Sequence, residues 1–189
     1  MSGLVVLLIV IAVVVVLGLM VMGAYNRLVR LRQFANQAFA DIDVQLKQRH
    51  DLIPNLVETV KGYATHEKGT LEAVMAARSA ATTATGVEAK VGAENMLTGA
   101  LGRLFAVAEA YPDLKANQNF LALQRDLSDI ENKLAAARRF FNNAVSEFNS
   151  AVQQFPAVLI AGMFGFKERD FFDLGENRAQ VEQAPAVKF

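Results

Sequence analysis

From Leu4 to Ala24 the chain carries no charged or polar side chain: LVVLLIVIAVVVVLGLMVMGA. As an α-helix this run rises about 31 Å. A bilayer's hydrocarbon core is about 30 Å thick, so the run can cross it with little tilt. Valine is a weak helix former in water, but lipid makes unpaired backbone groups so costly that a helix is forced. A cleaved signal peptide is the competing reading, and it calls for a positive start, a shorter apolar stretch and small residues before the cut. Here Met1, Ser2 and Gly3 precede the run and Arg27, Arg30 and Arg32 follow it. A retained anchor over residues 1–24 is therefore expected. Positive flanks stay cytoplasmic, which puts the amino terminus outside and residues 25–189 inside. Gly18 and Gly23 do not make a G-x-x-x-G pair, so the span reads as an isolated anchor.

Beyond residue 24 the apolar spacing is helical. Phe120, Leu123, Leu127, Ile130, Leu134, Ala137, Phe141, Ala144, Phe148, Ala151 and Phe155 alternate steps of three and four, the seam of a heptad repeat. Leu28, Leu31, Ala35, Ala38, Ile42, Leu46, Ile53, Leu56 and Val60 form a second seam, and Leu97, Leu101, Leu104, Ala108 and Tyr111 a shorter third. No stretch alternates with period two, so strands find little support.

Breakers divide the helical region. Pro54 interrupts a good pattern and should kink the helix without ending it. Gly62 and Gly69 flank a region where the chain can turn, Ala81–Gly92 reads as a loop or a frayed helix end, Pro112 stops the third segment, Asp113 or Asn117 caps the fourth, and Pro156 ends it. The fold class is all-α: one transmembrane helix, then an antiparallel up-and-down bundle over residues 25–155. Four segments are expected, with long first and last helices covering about 25–64 and 115–155. A three-helix alternative runs continuously from 25 to 82. Four antiparallel segments return the chain near Phe155 to the membrane side. There FPAVLIAGMFGF is apolar, and Phe164 and Phe166 belong to a segment, 156–174, that either faces the bilayer or another subunit or simply caps the bundle. Residues 175–189 read as a mobile tail.

Composition removes whole classes of chemistry. Lys+Arg and Asp+Glu are equal at 19 each, which argues against a general nucleic-acid binder. Arg138-Arg139 beside Phe140-Phe141 offers basic and aromatic groups, but Phe141 is a core position and the arginines flank it as a solvated face. The absence of Cys rules out disulfides, thiol nucleophiles and Cys-ligated zinc. His66-Glu67 lacks the second histidine of H-E-x-x-H, no serine sits in a G-x-S-x-G elbow, and no phosphate-cradling glycine loop appears. No cofactor or metal is expected. One polar island stands out: Arg49, His50, Asp51, Asn55 and Glu58 around Pro54. Proline has no N–H, so the His50 carbonyl, four residues back, loses its helical donor. Arg49 falls on the inward face, where a guanidinium must be paired; Asp51 and a carboxylate of the last long helix are the candidate partners. The island is either a sensing hinge or a kink whose freed groups are satisfied locally.

Three stretches carry a family resemblance: YNRLVRLRQFANQAFADIDVQLKQRHDLIPNLVETVKGYATHE from Tyr25, YPDLKANQNFLALQRDLSDIENKLAAARRFFNNAVSEFN from Tyr111, and Phe155-Pro156 with the Phe-rich segment after it. With the anchor they make a chain that resembles the LemA family of bacterial single-pass membrane proteins. Phe39 and Phe141 stand where relatives often carry Trp and Tyr. The resemblance implies a helical bundle on one amino-terminal span in the bacterial inner membrane, without established catalytic activity, and for some relatives a link to membrane remodelling or organelle formation.

The expected function is that of a non-enzymatic scaffold, tethered to the lipid bilayer, self-associating and organising the membrane or an unknown protein partner. Phe141, Phe148 and Phe155 on the seam are its candidate packing residues. The alternative is an accessory or sensor subunit that passes a conformational change through the Pro54 kink.

Overall fold

The computed structural model describes residues 3–64 and 66–172. They form α1 (Gly3–Lys61), α2 (Lys68–Thr83), α3 (Val87–Glu109), a single turn α4 (Pro112–Lys115), α5 (Gln118–Gln153) and a last turn α6 (Val158–Ala161). Among the described residues there is no strand. The fold class is the one expected, and the break after Lys61 sets the three-helix alternative aside. The tail over 175–189 lies outside the described residues.

The apolar run and the first bundle segment are one helix, because nothing between Ala24 and Lys61 interrupts α1; even Pro54 stays inside it. The large apolar side chains from Leu4 to Met22 are all exposed. After Lys61 the chain turns at Gly62, and Tyr63 and Ala64 donate back to the Val60 carbonyl. The loop expected over Ala81–Gly92 is much narrower. Helix α2 continues to Thr83, with the Thr82 and Thr83 hydroxyls satisfied on the carbonyls of Arg78 and Ser79, one turn back. Gly86, with a φ of 82°, makes the reversal and α3 begins at the next residue. Of the two candidate caps, Asn117 is the one used: its Oδ1 accepts from Phe120 N at 3.0 Å at the start of α5.

The chain divides into two compact units. Among the described residues, one comprises residues 3–40 with Arg139–Asp170, the other Asp41–Arg138 with residues 171–172. The core of the first holds Leu28, Phe148, Ala151, Val152, Ala157, Ala161 and Phe166, with Ala24, Val29 and Leu31 packed against it. Phe39 and Phe141 lie with ring centroids 5.4 Å apart, and Phe141 is fully buried. Asn149 grips the returning chain with both ends of its amide: Nδ2 donates to the Arg169 carbonyl and Oδ1 accepts from Arg169 N, each at 2.9 Å. Arg169 Nη1 then donates to Asn36 Oδ1 at 2.6 Å. Phe155 departs from the expected seam and is 73% exposed. The reason is local: α5 ends at Gln153, so the three-and-four spacing no longer maps onto one helical face.

The core of the second unit gathers Ile53, Leu56 and Val60 of α1, Leu71 and Val74 of α2, Leu97, Leu101 and Leu104 of α3, Leu114, and Phe120 and Leu127 of α5. Every seam residue named for α3 except Tyr111 is buried.

Candidate functional site

Helix α1 presents two consecutive polar residues, Arg49 and His50, to the interior of the second unit. Arg49 occupies the inward row between Leu46 and Ile53, so its guanidinium is carried into the packed face. Its partner there is Glu94 on α3. Arg49 Nη1 meets Glu94 Oε2 at 2.8 Å, and the two side chains are 5% and 1% exposed. His50 Nε2 lies 2.6 Å from the other carboxylate oxygen, Oε1. Arg49 Nη2 donates to Thr98 Oγ1 at 2.8 Å, one turn further along α3, and sits 3.4 Å from Glu131 Oε2 on α5. Glu131 also lies 3.8 Å from Arg138 Nη1. Three helices thus contribute to one chain of charge.

The carbonyl freed by Pro54 is satisfied from a fourth direction. Arg78 Nε on α2 donates to the His50 carbonyl oxygen at 2.7 Å. A charged donor replaces the missing backbone N–H, which is why α1 can carry a proline in its interior without an orphaned acceptor. At the start of α3, Lys90 forms an ion pair with Asp43 of α1.

Burial by itself pushes the Glu94 carboxyl up, but the hydrogen bond and charge of His50 and the guanidinium of Arg49 outweigh it and hold Glu94 below the ordinary carboxylate range. Burial also lowers the Arg138 guanidinium from its usual value, with Glu131 opposing the shift. Arg138 is 8% exposed, so its placement on a solvated face is corrected. Its long side chain reaches back over the packed surface, and its guanidinium carbon lies 5.3 Å from the Phe172 ring centroid. Arg139, the next residue, is exposed.

The island around Pro54 is therefore only partly assembled. Arg49 and His50 are in it; Asp51 is exposed and lies on the rim of a shallow groove of about 300 Å³ beside His50 and Arg78. Asn55 and Glu58 face outward, with Thr59 Oγ1 donating to the Asn55 carbonyl and Glu58 paired with Lys61 at 3.2 Å. The expected carboxylate on the last long helix is present as Glu131, but the principal partner, Glu94, comes from α3. A signal for it stood in the sequence: stepping back three from Leu97 puts Glu94 on the same inward row, an acid on one seam matching an arginine on another. Arg78 carried no such signal, since its role depends on which helix lies beside the freed carbonyl. In the first unit Phe141, Phe148 and Phe166 are buried, whereas Phe164 is half-exposed and rests on Tyr25 with centroids 5.0 Å apart.

Chemically this arrangement is a lock. Each oxygen of Glu94 meets a nitrogen of Arg49 or His50 in a position closed to solvent. Among the described residues no group of three His, Asp or Glu side chains is placed to hold a metal ion. A cation entering beside His50 and Glu94 would also meet the Arg49 guanidinium.

Fold and site together define a class: an all-helical protein in which an apolar amino-terminal rod continues directly into helices pinned by a buried Arg–Glu–His cluster. The LemA family model matches residues 38–189, and the chain belongs to the LemA family. It is 32% identical over 85 residues to the magnetosome protein MamQ of Magnetospirillum gryphiswaldense, covering 45% of this chain and 31% of that one. A magnetosome protein MamQ of Paramagnetospirillum magneticum is also 32% identical, over 87 residues, 46% of this chain and 32% of its own length. Protein LemA of Metamycoplasma hominis is 28% identical over 138 residues, 70% of this chain and 61% of that protein. The chain thus spans about a third of the MamQ proteins and under two thirds of the mycoplasma protein.

Proposed function

We propose that this protein is a membrane-tethered helical scaffold, with its amino terminus outside and its helical units on the cytoplasmic side, that associates with copies of itself and organises the membrane or proteins within it. The observation that carries the reading is the contrast along α1. Its first turns expose every large apolar side chain from Leu4 to Met22, while the same helix, further on, buries Arg49 in a saturated ion cluster. A surface of that kind calls for a cover, and the length of the run matches the hydrocarbon thickness of a bilayer. The polar groups that would otherwise suit catalysis are consumed in holding helices together. Membership of the LemA family, and relatives named as magnetosome proteins, fit a role at an organised membrane.

The test is direct. In fractionated cells the full chain should remain in the membrane pellet after alkaline carbonate, and in mild detergent it should sediment as more than one copy in a concentration-dependent way. Release by carbonate sinks the anchor; a strict monomer across concentration sinks self-association.

A second reading is favoured by one feature, the Arg78 grip on the carbonyl freed by Pro54. It makes this point a place where a partner could bias α1 against α2. Replacing Pro54 by Ala separates the readings: a scaffold keeps membrane retention and self-association, whereas a switch loses its response to the partner.

A further inference from the structure

The segment that follows α5 bears side chains that the core of its own unit does not use. Ala157, Ala161 and Phe166 turn inward onto Leu28 and Phe148, while Leu159 is 66% and Met163 80% exposed, with Val158 and Phe164 half-exposed beside them. Four large apolar groups facing outward within seven positions exceed the scatter of single surface apolar residues.

Their position is set by Tyr25. The Phe164 and Phe166 rings meet Tyr25 edge-on, at 5.0 and 5.7 Å between centroids. Tyr25 is the residue immediately after the apolar run, so the segment sits at the level where that run ends. A span that crosses the bilayer would place this level at the boundary between acyl chains and headgroups, where tyrosine rings concentrate. The charges agree. Arg27, Arg30 and Lys167 are exposed next to this level, and Arg32 lies over the Phe166 ring at 4.9 Å. The unit containing the segment holds six basic residues against three acidic ones, in a chain whose total charge is zero.

We propose that Val158, Leu159, Met163 and Phe164 form a second membrane contact, a short apolar wedge that enters the interfacial layer of an anionic bilayer beside the span while Arg27, Arg30 and Lys167 meet the headgroups. This rests on the anchor reading above. The wedge adds buried apolar area and charge attraction to the single span, and it fixes the rotation of the first unit about the membrane normal, because one face of it must point to lipid.

The chain has no cysteine, so single-cysteine variants of the full-length protein can be labelled at chosen sites. Leu159→Cys, Met163→Cys, Leu8→Cys in the span and Met96→Cys on an exposed face of α3 would carry an environment-sensitive fluorophore. The proteins are reconstituted in vesicles of phosphatidylcholine with phosphatidylglycerol. Nitroxide lipids labelled near the headgroup or deep in the acyl chain serve as membrane quenchers, and iodide as the aqueous one. The wedge predicts several-fold stronger quenching at 159 and 163 by the shallow nitroxide than by the deep one, weak quenching by iodide, strong lipid quenching at 8, and iodide quenching alone at 96. Three results overturn it. If 8 is quenched by lipid but 159 and 163 behave like 96, the segment is a solvated cap on a valid anchor. If 159 and 163 are shielded from both lipid and iodide, they face another copy of the chain. If no site, 8 included, is quenched by lipid, the anchor reading falls together with the wedge.

Discussion

Glu94 shows how much one side chain can hold. Its two oxygens neutralise Arg49 and engage His50 in a position from which water is excluded. Removing one member of such a pair strands the other charge, at a cost of about 3–5 kcal/mol, whereas replacing both with apolar groups is often neutral. Glu94→Leu is therefore expected to lower unfolding free energy by about 3 kcal/mol or more, and the added change Arg49→Met to restore most of it. Urea unfolding of the detergent-solubilised protein followed by circular dichroism measures both; a Glu94→Leu variant as stable as the parent contradicts the lock. The same residue sets an acid response. Because its native pKa lies below the ordinary value, the unfolded chain binds the proton more readily. The stabilisation is fully present above the ordinary glutamate value of 4.5 and is lost as pH falls through the lower native value. Thermal midpoints recorded from neutral to acid pH should fall more steeply for the parent than for Glu94→Gln, whose side chain has no such proton to gain.

Helix α1 runs through its one internal proline, and the donor lost there is replaced. Pro54 deletes one donor, and Arg78 of α2 supplies another. Arg78→Ala should leave the His50 carbonyl short of a partner and cost about 1–2 kcal/mol. In a Pro54→Ala background the backbone N–H returns, so the same change should cost far less. A double-mutant cycle on unfolding free energy reads this coupling directly, and equal costs in the two backgrounds would show that Arg78 acts elsewhere. Helix α5 tells a parallel story of local limits. Its seam packs from Phe120 to Ala151, but ends with the helix at Gln153, leaving Phe155 outside. Phe148→Ala, in the middle of the packed face of the first unit, should cost about 3–5 kcal/mol, measured in the same urea experiment; Phe155→Ala should be close to silent.

For the molecule as a whole, the proposed topology makes a one-sided expectation. Trypsin added to inside-out membrane vesicles should cleave the helical units after Lys and Arg, while right-side-out vesicles should protect them. Cleavage of intact right-side-out vesicles would reverse the proposed orientation without touching the anchor. Both outcomes are read on an immunoblot against a carboxy-terminal tag.

Much of this architecture is local and so can be read along the chain. An apolar run of 21 residues needs no neighbour to be recognised, and the three-and-four spacing of Leu28 to Val60 or Leu97 to Ala108 identifies buried faces because helical geometry alone puts those positions in line. Even the presence of a buried cation followed from Arg49 standing in such a row. Its environment did not. That Glu94 rather than Asp51 answers Arg49, that Arg78 takes the carbonyl released by Pro54, that Arg138 lies buried while Arg139 does not, and that residues 157–166 fold back onto Leu28 all depend on which helices become neighbours and how each is rotated about its axis. Periodicity states that a face will be covered; the partners arise only when distant segments are packed, because ion pairs and hydrogen bonds act over a few ångströms of space and are indifferent to separation along the chain.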